Sequence, residues 1–346
     1  TEFRSATRSC GMIDTYLYNN SYNGVYIRDN LKDAGQDNNL DLNVTSPIDP
    51  FWDSPDIWVR NQKDGLTNNT HQAPIRGSDN WVYVHVRNNG PQPAGEITVN
   101  LFLANFAGTE FLYPEDWRLE DLIGSTVEPN GVPAILGKTV EFYWPKCMIP
   151  STTAHPCLLA EILPIHPVKR GLRHVWDDRR IAQKNITIVG WPLKPSLHQS
   201  VTWPFSIGSR SLPARLVKVR VRQKEGLSVG QVILGLGRED WLSRLGEIAL
   251  RESNGMDLGN TRSRNLNELA RGGVVNEEED QMCFVISNPL EGAEIALPLL
   301  EAELVELTLK VVRSEETPTS DAKFEITQLN EQNKVVGGLD LIIQNT

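Results

Sequence analysis

The stretch Asn80-Trp81-Val82-Tyr83-Val84-His85-Val86-Arg87-Asn88-Asn89-Gly90 decides the fold class. Val82, Val84 and Val86 take alternate positions, and Trp81, Tyr83 and His85 fill those between. In an extended chain successive side chains point to opposite faces, so this alternation builds a valine face for a core and an aromatic face outside it. Asn88-Asn89-Gly90 follows with residues that tolerate positive φ where the chain must reverse. Ile97, Val99, Leu101 and Leu103 then resume the period against Glu96, Thr98, Asn100 and Phe102. The two runs are expected to pair, most simply as a hairpin.

Outward from this pair the same signal recurs. Val140–Trp144, Cys157–Ile162 and Ile186–Val189 read as further strands. After the Gly190-Trp191-Pro192 break come Val201–Ser206, Leu216–Val221, Gln231–Leu234, Met282–Ser287, Ala302–Val312, Phe324–Leu329 and Val335–Ile343. The last two form a hairpin through Asn330–Lys334. Toward the N-terminus, Val25–Ile27 and Ile57–Val59 are short apolar runs among Asn, Asp and Pro, the mark of an extended segment adding one or two strands. One helix is expected, capped by Asp240, with Trp241, Leu242, Leu245, Ile248 and Ala249 on one face. Residues 253–280 show no convincing period and read as a long loop, a candidate binding loop. The fold class is therefore all-β: two immunoglobulin-like antiparallel β-sandwiches in tandem, with one short helix and a long loop in the second. The division is residues 1–60 as an extended segment on the first sandwich, 61–190 as that sandwich, and 191–346 as the second.

Composition agrees. The 346 residues, 40% hydrophobic and 23% charged with 26 Gly, 21 Pro and nine Trp, exclude collagen, low-complexity disorder and a cysteine-stapled miniature. No apolar run approaches the roughly 20 residues that span a bilayer, so no membrane insertion is expected. A net charge of −10 repels a phosphate backbone and argues against a nucleic-acid partner. The charge is uneven. Ten Lys or Arg and no acid lie between Arg179 and Lys224, against fifteen acids and four bases from Glu277 onward. The basic region centres on Arg215, Lys218, Arg220, Arg222 and Lys224, the last four sharing the wet face of a strand whose other face carries Val217, Val219 and Val221. Cys10, Cys147, Cys157 and Cys283 form no CxxC pair and are expected free.

From Ser54 to Val189 the sequence resembles the CARDB-like group of bacterial adhesion-related, immunoglobulin-like domains. The resemblance is carried by Ser54-Pro55-Asp56-Ile57-Trp58-Val59-Arg60, by Asp79 through Gly90 with Ala94 and Val99 beyond, by Pro114-Glu115-Asp116-Trp117, by His155–Leu159 and by Ile181-Ala182-Gln183-Lys184-Asn185-Ile186. It covers about 40% of the chain, is a strand-and-turn pattern, and holds no catalytic motif. It implies an accessory, non-catalytic module of a larger bacterial protein, with an extracellular or cell-surface location favoured over a cytoplasmic one.

Catalytic signatures find little footing: there is no Gly-x-Ser-x-Gly elbow, His-Glu-x-x-His helix or Walker loop, and the six histidines are scattered. Asp29, Asn30 and Asp33 crowd oxygen ligands into one loop, where turn chemistry competes with a structural calcium; no other cofactor is expected. Trp52, Trp58 and Trp117 stand in loop-like sequence, and any of them left exposed would offer an aromatic platform to a glycan or a protein. The expected function is protein binding, spacing or assembly, with a protein or neighbouring domains of the parent chain as partner. The alternatives are a carbohydrate-binding module, recognised by exposed coplanar aromatics, and a hydrolase with a site between the domains, recognised by a histidine beside a nucleophile or acid.

Overall fold

The computed structural model describes residues 24–37, 50–104, 108–150, 156–164, 171–186, 188–191, 200–208, 215–226, 229–237, 241, 243–244, 269–278, 281–312 and 321–345. The first half forms β1 (Val25–Tyr26), β2 (Ile57–Arg60), β3 (Asn80–Asn88), β4 (Ile97–Ala104), β5 (Leu122–Glu128), β6 (Lys138–Trp144), β7 (Cys157–Leu163) and β8 (Ile181–Asn185). One sheet centres on β3, with β1 and β2 along one edge and β6 along the other. The facing sheet has the order β5-β4-β7-β8, and every pairing in both sheets is antiparallel.

The expected β3–β4 hairpin does not form: each strand pairs within a different sheet. The connection from Asn89 to Glu96 is longer than the usual hairpin loop of two to about five residues, and Asn88 ties it down instead. Its Nδ2 donates to the carbonyls of Gln92 (2.9 Å) and Val132 (3.1 Å), and its Oδ1 accepts the N–H of Gly90 (2.9 Å). Val82, Val84 and Val86 thus meet Ile97, Val99 and Leu101 across the core rather than edge to edge.

The outer face of the β5-β4-β7-β8 sheet is apolar too. Phe102, Ala104, Cys157, Leu159 and Ile181 pack under a layer supplied by Phe51, Trp52, Phe111, Trp117, Val175 and Trp176. Phe51 meets both Trp52 and Trp176 edge-on, with ring centroids 5.0 and 4.4 Å apart. Val335 from the second half packs against this layer.

The second half forms β9 (Ile188–Trp191), β10 (Ser200–Gly208), β11 (Arg215–Glu225), β12 (Gln231–Gly235), β13 (Ala270–Arg271), β14 (Gly273–Glu278), β15 (Gln281–Ile286), β16 (Ala293–Leu299), β17 (Leu304–Val312), β18 (Ala322–Leu329) and β19 (Val335–Asn345). Two sheets, β10-β17-β12-β15-β14 and β13-β16-β11-β18-β19-β9, enclose a core of Trp203, Phe205, Val217, Val219, Phe284, Phe324 and their neighbours. The β9–β19 pairing is parallel. Tandem antiparallel sandwiches are the architecture, as the alternation implied.

Part of the expected long loop is strand: β13 and β14 lie within residues 253–280, pairing with β16 and β15. Val275 reaches the core while Val274 is exposed, so an edge strand with one weak inner row leaves little period to read. Residues 253–268 and 279–280 lie outside the described residues. Of the expected helix, Trp241, Ser243 and Arg244 are helical, and its other residues, Asp240 among them, lie outside the described set. The β18–β19 hairpin forms as expected, turning at Asn333 with φ 58°.

Candidate binding site

The aromatic face of β3 is covered at its centre: Tyr83 is fully buried, while Trp81 and His85 keep partial exposure. Residues 61–74 fold back over it, and polar side chains pin them there. Arg60 grips Asp64 through Nε (2.8 Å) and Nη2 (2.7 Å) and donates from Nη1 to the carbonyl of Thr70 (2.9 Å). Asn61 Nδ2 donates to the carbonyl of Ala73 (2.7 Å), and the N–H of Val59 donates to His71 Nδ1 (3.2 Å). Gly65 lies flat on the Tyr83 ring, where a Cβ would sit 2.2 Å from ring carbons. Tyr83 is consequently buried and stacks on Trp58 at 5.7 Å between centroids.

Between this roof and the sheet lies a cleft of ≈ 390 Å³. Its sheet wall carries Arg28, Asp56, Trp58, His85, Arg87 and Thr139, and its loop wall is residues 65–69. Asp56 is buried and accepts from both arginines: from Arg28 Nε (3.1 Å) and Nη2 (2.7 Å), and from Arg87 Nε (2.7 Å) and Nη2 (2.9 Å). Burial alone would raise the Asp56 pKa, but the bonds from Arg87 and Arg28 outweigh it and hold the carboxyl below its ordinary value. His85 Nδ1 lies 2.9 Å from Thr139 Oγ1. Its burial, helped by the two arginines, lowers its pKa, so the ring is neutral near pH 7.

A second cluster joins the two sandwiches. Thr109 runs between β10 and β19: its N–H donates to the carbonyl of Ser206 (3.0 Å), its hydroxyl to Gln328 Oε1 (2.6 Å), and its carbonyl accepts the N–H of Gly338 (2.8 Å). Asn185 Nδ2 donates to the carbonyl of Gly338 (3.0 Å). The backbones approach so closely that a Cβ on Gly337 would lie 2.2 Å from the Thr109 oxygen, and one on Gly338 2.6 Å from the Trp52 ring. Beside this contact, His174 Nε2 bonds Glu110 Oε1 at 2.8 Å, its Nδ1 stands 3.5 Å from Asp177, and its ring stacks on Trp176 at 4.1 Å.

The residues singled out in the sequence are dispersed. Trp52 (3% exposed), Trp58 (6%) and Trp117 (6%) are buried and form no exposed aromatic platform, because the apolar layer and the roof loop enclose them. Trp81 and Tyr143, on the outer face, are tilted 55° to each other rather than coplanar. Lys218, Arg220 and Lys224 do share the outer face of β11 with Arg222, but acids on the flanking strands meet them. Arg220 pairs with Glu294 (2.8 Å), Lys218 lies 3.7 Å from the same carboxylate, and Lys224 pairs with Glu325 (2.6 Å). Arg215 falls on the opposite, inward row and is buried; desolvation lowers its pKa against the opposing pull of Glu110 and Glu331. Asp29, Asn30 and Asp33 are also buried. Asp33 accepts the N–H groups of Asp29 (3.1 Å) and Gly35 (2.7 Å), and Asn30 accepts that of Lys32 (3.0 Å), which is turn chemistry. Among the described residues no three His, Cys, Asp or Glu side chains are grouped to hold a metal ion. Cys147 and Cys157 are free thiols, Cys283 is buried in β15, and Cys10 lies outside the described residues. Sequence reading missed the Asp56–Arg28–Arg87 cluster, because its members are 28 and 31 residues apart and no local period links them.

No protein-family model matches the chain, and no curated protein matches it. Among solved structures it is similar to red sea bream transglutaminase at 13% identity and a TM-score of 0.22, over 80% of this chain and 31% of that one. It is similar to the collagen adhesin of S. aureus at 10% identity and TM-score 0.20, over 84% and 92% of the two chains. The C-terminal domain of a Streptococcus pyogenes antigen I/II-family protein follows at 9% and 0.19, over 79% and 94%. Likeness at these scores carries no functional information, and the architecture rests on the strand pairing. The fold and its cleft define a tandem β-sandwich protein with a roofed polar cleft and a hydrogen-bonded contact between the two sandwiches.

Proposed function

We propose that this chain is a non-enzymatic, rigid two-sandwich module that binds a protein partner, or neighbouring domains of a larger bacterial protein, as a spacer or assembly element. The observation that supports it is the junction. Thr109 bonded to both Ser206 and Gly338, with two glycines allowing backbone contact, gives the sandwiches a fixed relation that a flexible linker would not. The CARDB-like kinship of the first sandwich and the division near residues 60 and 190 belong to the same reading.

The test has two arms. Spin labels at Lys63→Cys and Leu290→Cys, with Cys147→Ser in the background, should give one narrow distance distribution; a broad one removes the rigid module. Affinity capture from the organism's own proteins should return one species in fixed stoichiometry. A hydrolase is the second reading, favoured by His85 at hydrogen-bond distance from the Thr139 hydroxyl. Against it, Asp56, the carboxylate that acts on His85, is committed to two arginines. Turnover of an ester or glycoside panel, abolished by T139V, would replace the binding reading with this one.

A further inference from the structure

We propose that the cleft under residues 61–74 is a recognition site for a single carboxylate group on a small ligand. It stands apart from the partner reading above, since a carboxylate would bind here whether or not the chain has a protein partner.

Asp56 engages the Nε and Nη2 nitrogens of both Arg28 and Arg87, and so fixes two guanidinium planes in place. The Nη1 group of each arginine remains for another acceptor, and both side chains keep partial exposure (21% and 31%) where they line the cleft. A guanidinium held on one edge offers the other without losing further rotamer freedom, the preorganised state in which charge-assisted bonds are strongest. In the same wall the Trp58 indole N–H is buried and has no acceptor among the described residues. Asn68, Asn69 and Thr139 add polar side chains around the same space. The cleft therefore holds donors in surplus, and its one carboxylate is already saturated.

Charge fixes the ligand class. Two guanidinium groups against Asp56, with His85 neutral, leave a net charge of one positive among the lining side chains, with Asp33 acting on Arg87 from outside the lining. A monocarboxylate balances it, and its two oxygens suit two separate N–H donors; a phosphate dianion would leave a negative charge in a half-enclosed site. The volume, ≈ 390 Å³, falls in the range of small-ligand sites, about 300–1,000 Å³, and accommodates one acidic side chain or one acidic sugar.

The experiment is a titration of the full chain followed by the Trp58 indole and arginine Nε resonances, the indole assigned with Trp58→Phe. Acetate, N-acetyl-aspartyl methylamide and glucuronate are the probes, with sodium chloride at equal ionic strength as control. Saturable shifts with the carboxylates and none with chloride are expected. Tighter binding of the aspartyl probe would identify an acidic peptide as the natural source, and tighter glucuronate an acidic sugar. Two variants are read in parallel. R87K keeps the charge beside Asp56 but loses the fork. N68D adds a negative charge on the loop wall while leaving an oxygen for the N–H of Thr70, which Asn68 Oδ1 accepts at 3.1 Å. Each should weaken binding by about tenfold. Absence of saturable shifts with every carboxylate overturns the proposal, as does an equal response to chloride, or unchanged affinity in both variants with their spectra still those of folded protein.

Discussion

Asp56 and His174 show how single side chains set the pH response. The Asp56 carboxyl is held below its ordinary value by Arg87 and Arg28, so its contribution is present above the unfolded pKa of about 3.9 and is lost as pH falls through the folded one. Replacing it leaves two guanidinium groups together without a counter-charge, so D56N should cost about 3–5 kcal/mol near neutrality. Urea unfolding should show that cost shrinking below about pH 4, where the carboxyl of the unfolded chain begins to protonate, and further as pH falls through the depressed folded value; an equal cost at both ends would mean that the ion cluster does not carry it. His174 has the opposite sign. Burial would lower its pKa, but the bonds to Asp177 and Glu110 prevail and raise it. Its contribution is full below the unfolded value of about 6.5 and is lost as pH rises through the folded one. H174Q should therefore be more damaging at acidic than at alkaline pH, measured as a shift in urea midpoint.

At the scale of elements, the strands most legible in the sequence are those with one buried and one wet face. β3 alternates buried valines with partly exposed Trp81, His85 and Arg87, with Tyr83 covered by the roof loop, and β11 sets Val217, Val219 and Val221 against Lys218, Arg220 and Arg222. Elements that were passed over break that pattern for physical reasons. β16 is buried nearly throughout and contains Pro298, and β5 is an edge strand with no fully buried residue. The roof loop was illegible because Arg60, Asn61 and Gly65 act through contacts that no local period encodes. The β18–β19 hairpin, in contrast, was readable from its turn. Asn330 accepts the N–H of Lys334 through Oδ1 (2.9 Å), and Asn333 takes the left-handed conformation that Asn tolerates and β-branched residues do not. N333G should change stability by only a few tenths of a kcal/mol, whereas N333V should cost about 1–2 kcal/mol. Thermal unfolding of the pair checks this, and equal effects would mean that the turn conformation does not matter to the hairpin.

For the whole molecule the decisive question is whether two sandwiches behave as one body. Each has its own core, which would let them unfold separately. Between them the apolar layer of Phe51, Trp52, Trp117 and Trp176 is shared with Val335, and backbone hydrogen bonds cross through Thr109. Gly338 lets this happen, with the Trp52 ring occupying the space a side chain would need. G338A should thus overpack the junction at a cost of about 1–3 kcal/mol without touching either sandwich core. Calorimetry of the wild type should then show one cooperative transition, and G338A should split it into two, because the substitution removes coupling rather than intrinsic stability. Two well-separated wild-type transitions, neither moved by G338A, would mean that the junction transmits no free energy. The rigid-module reading would then lose the observation that supports it, while the carboxylate cleft, which lies wholly within the first sandwich, would be untouched.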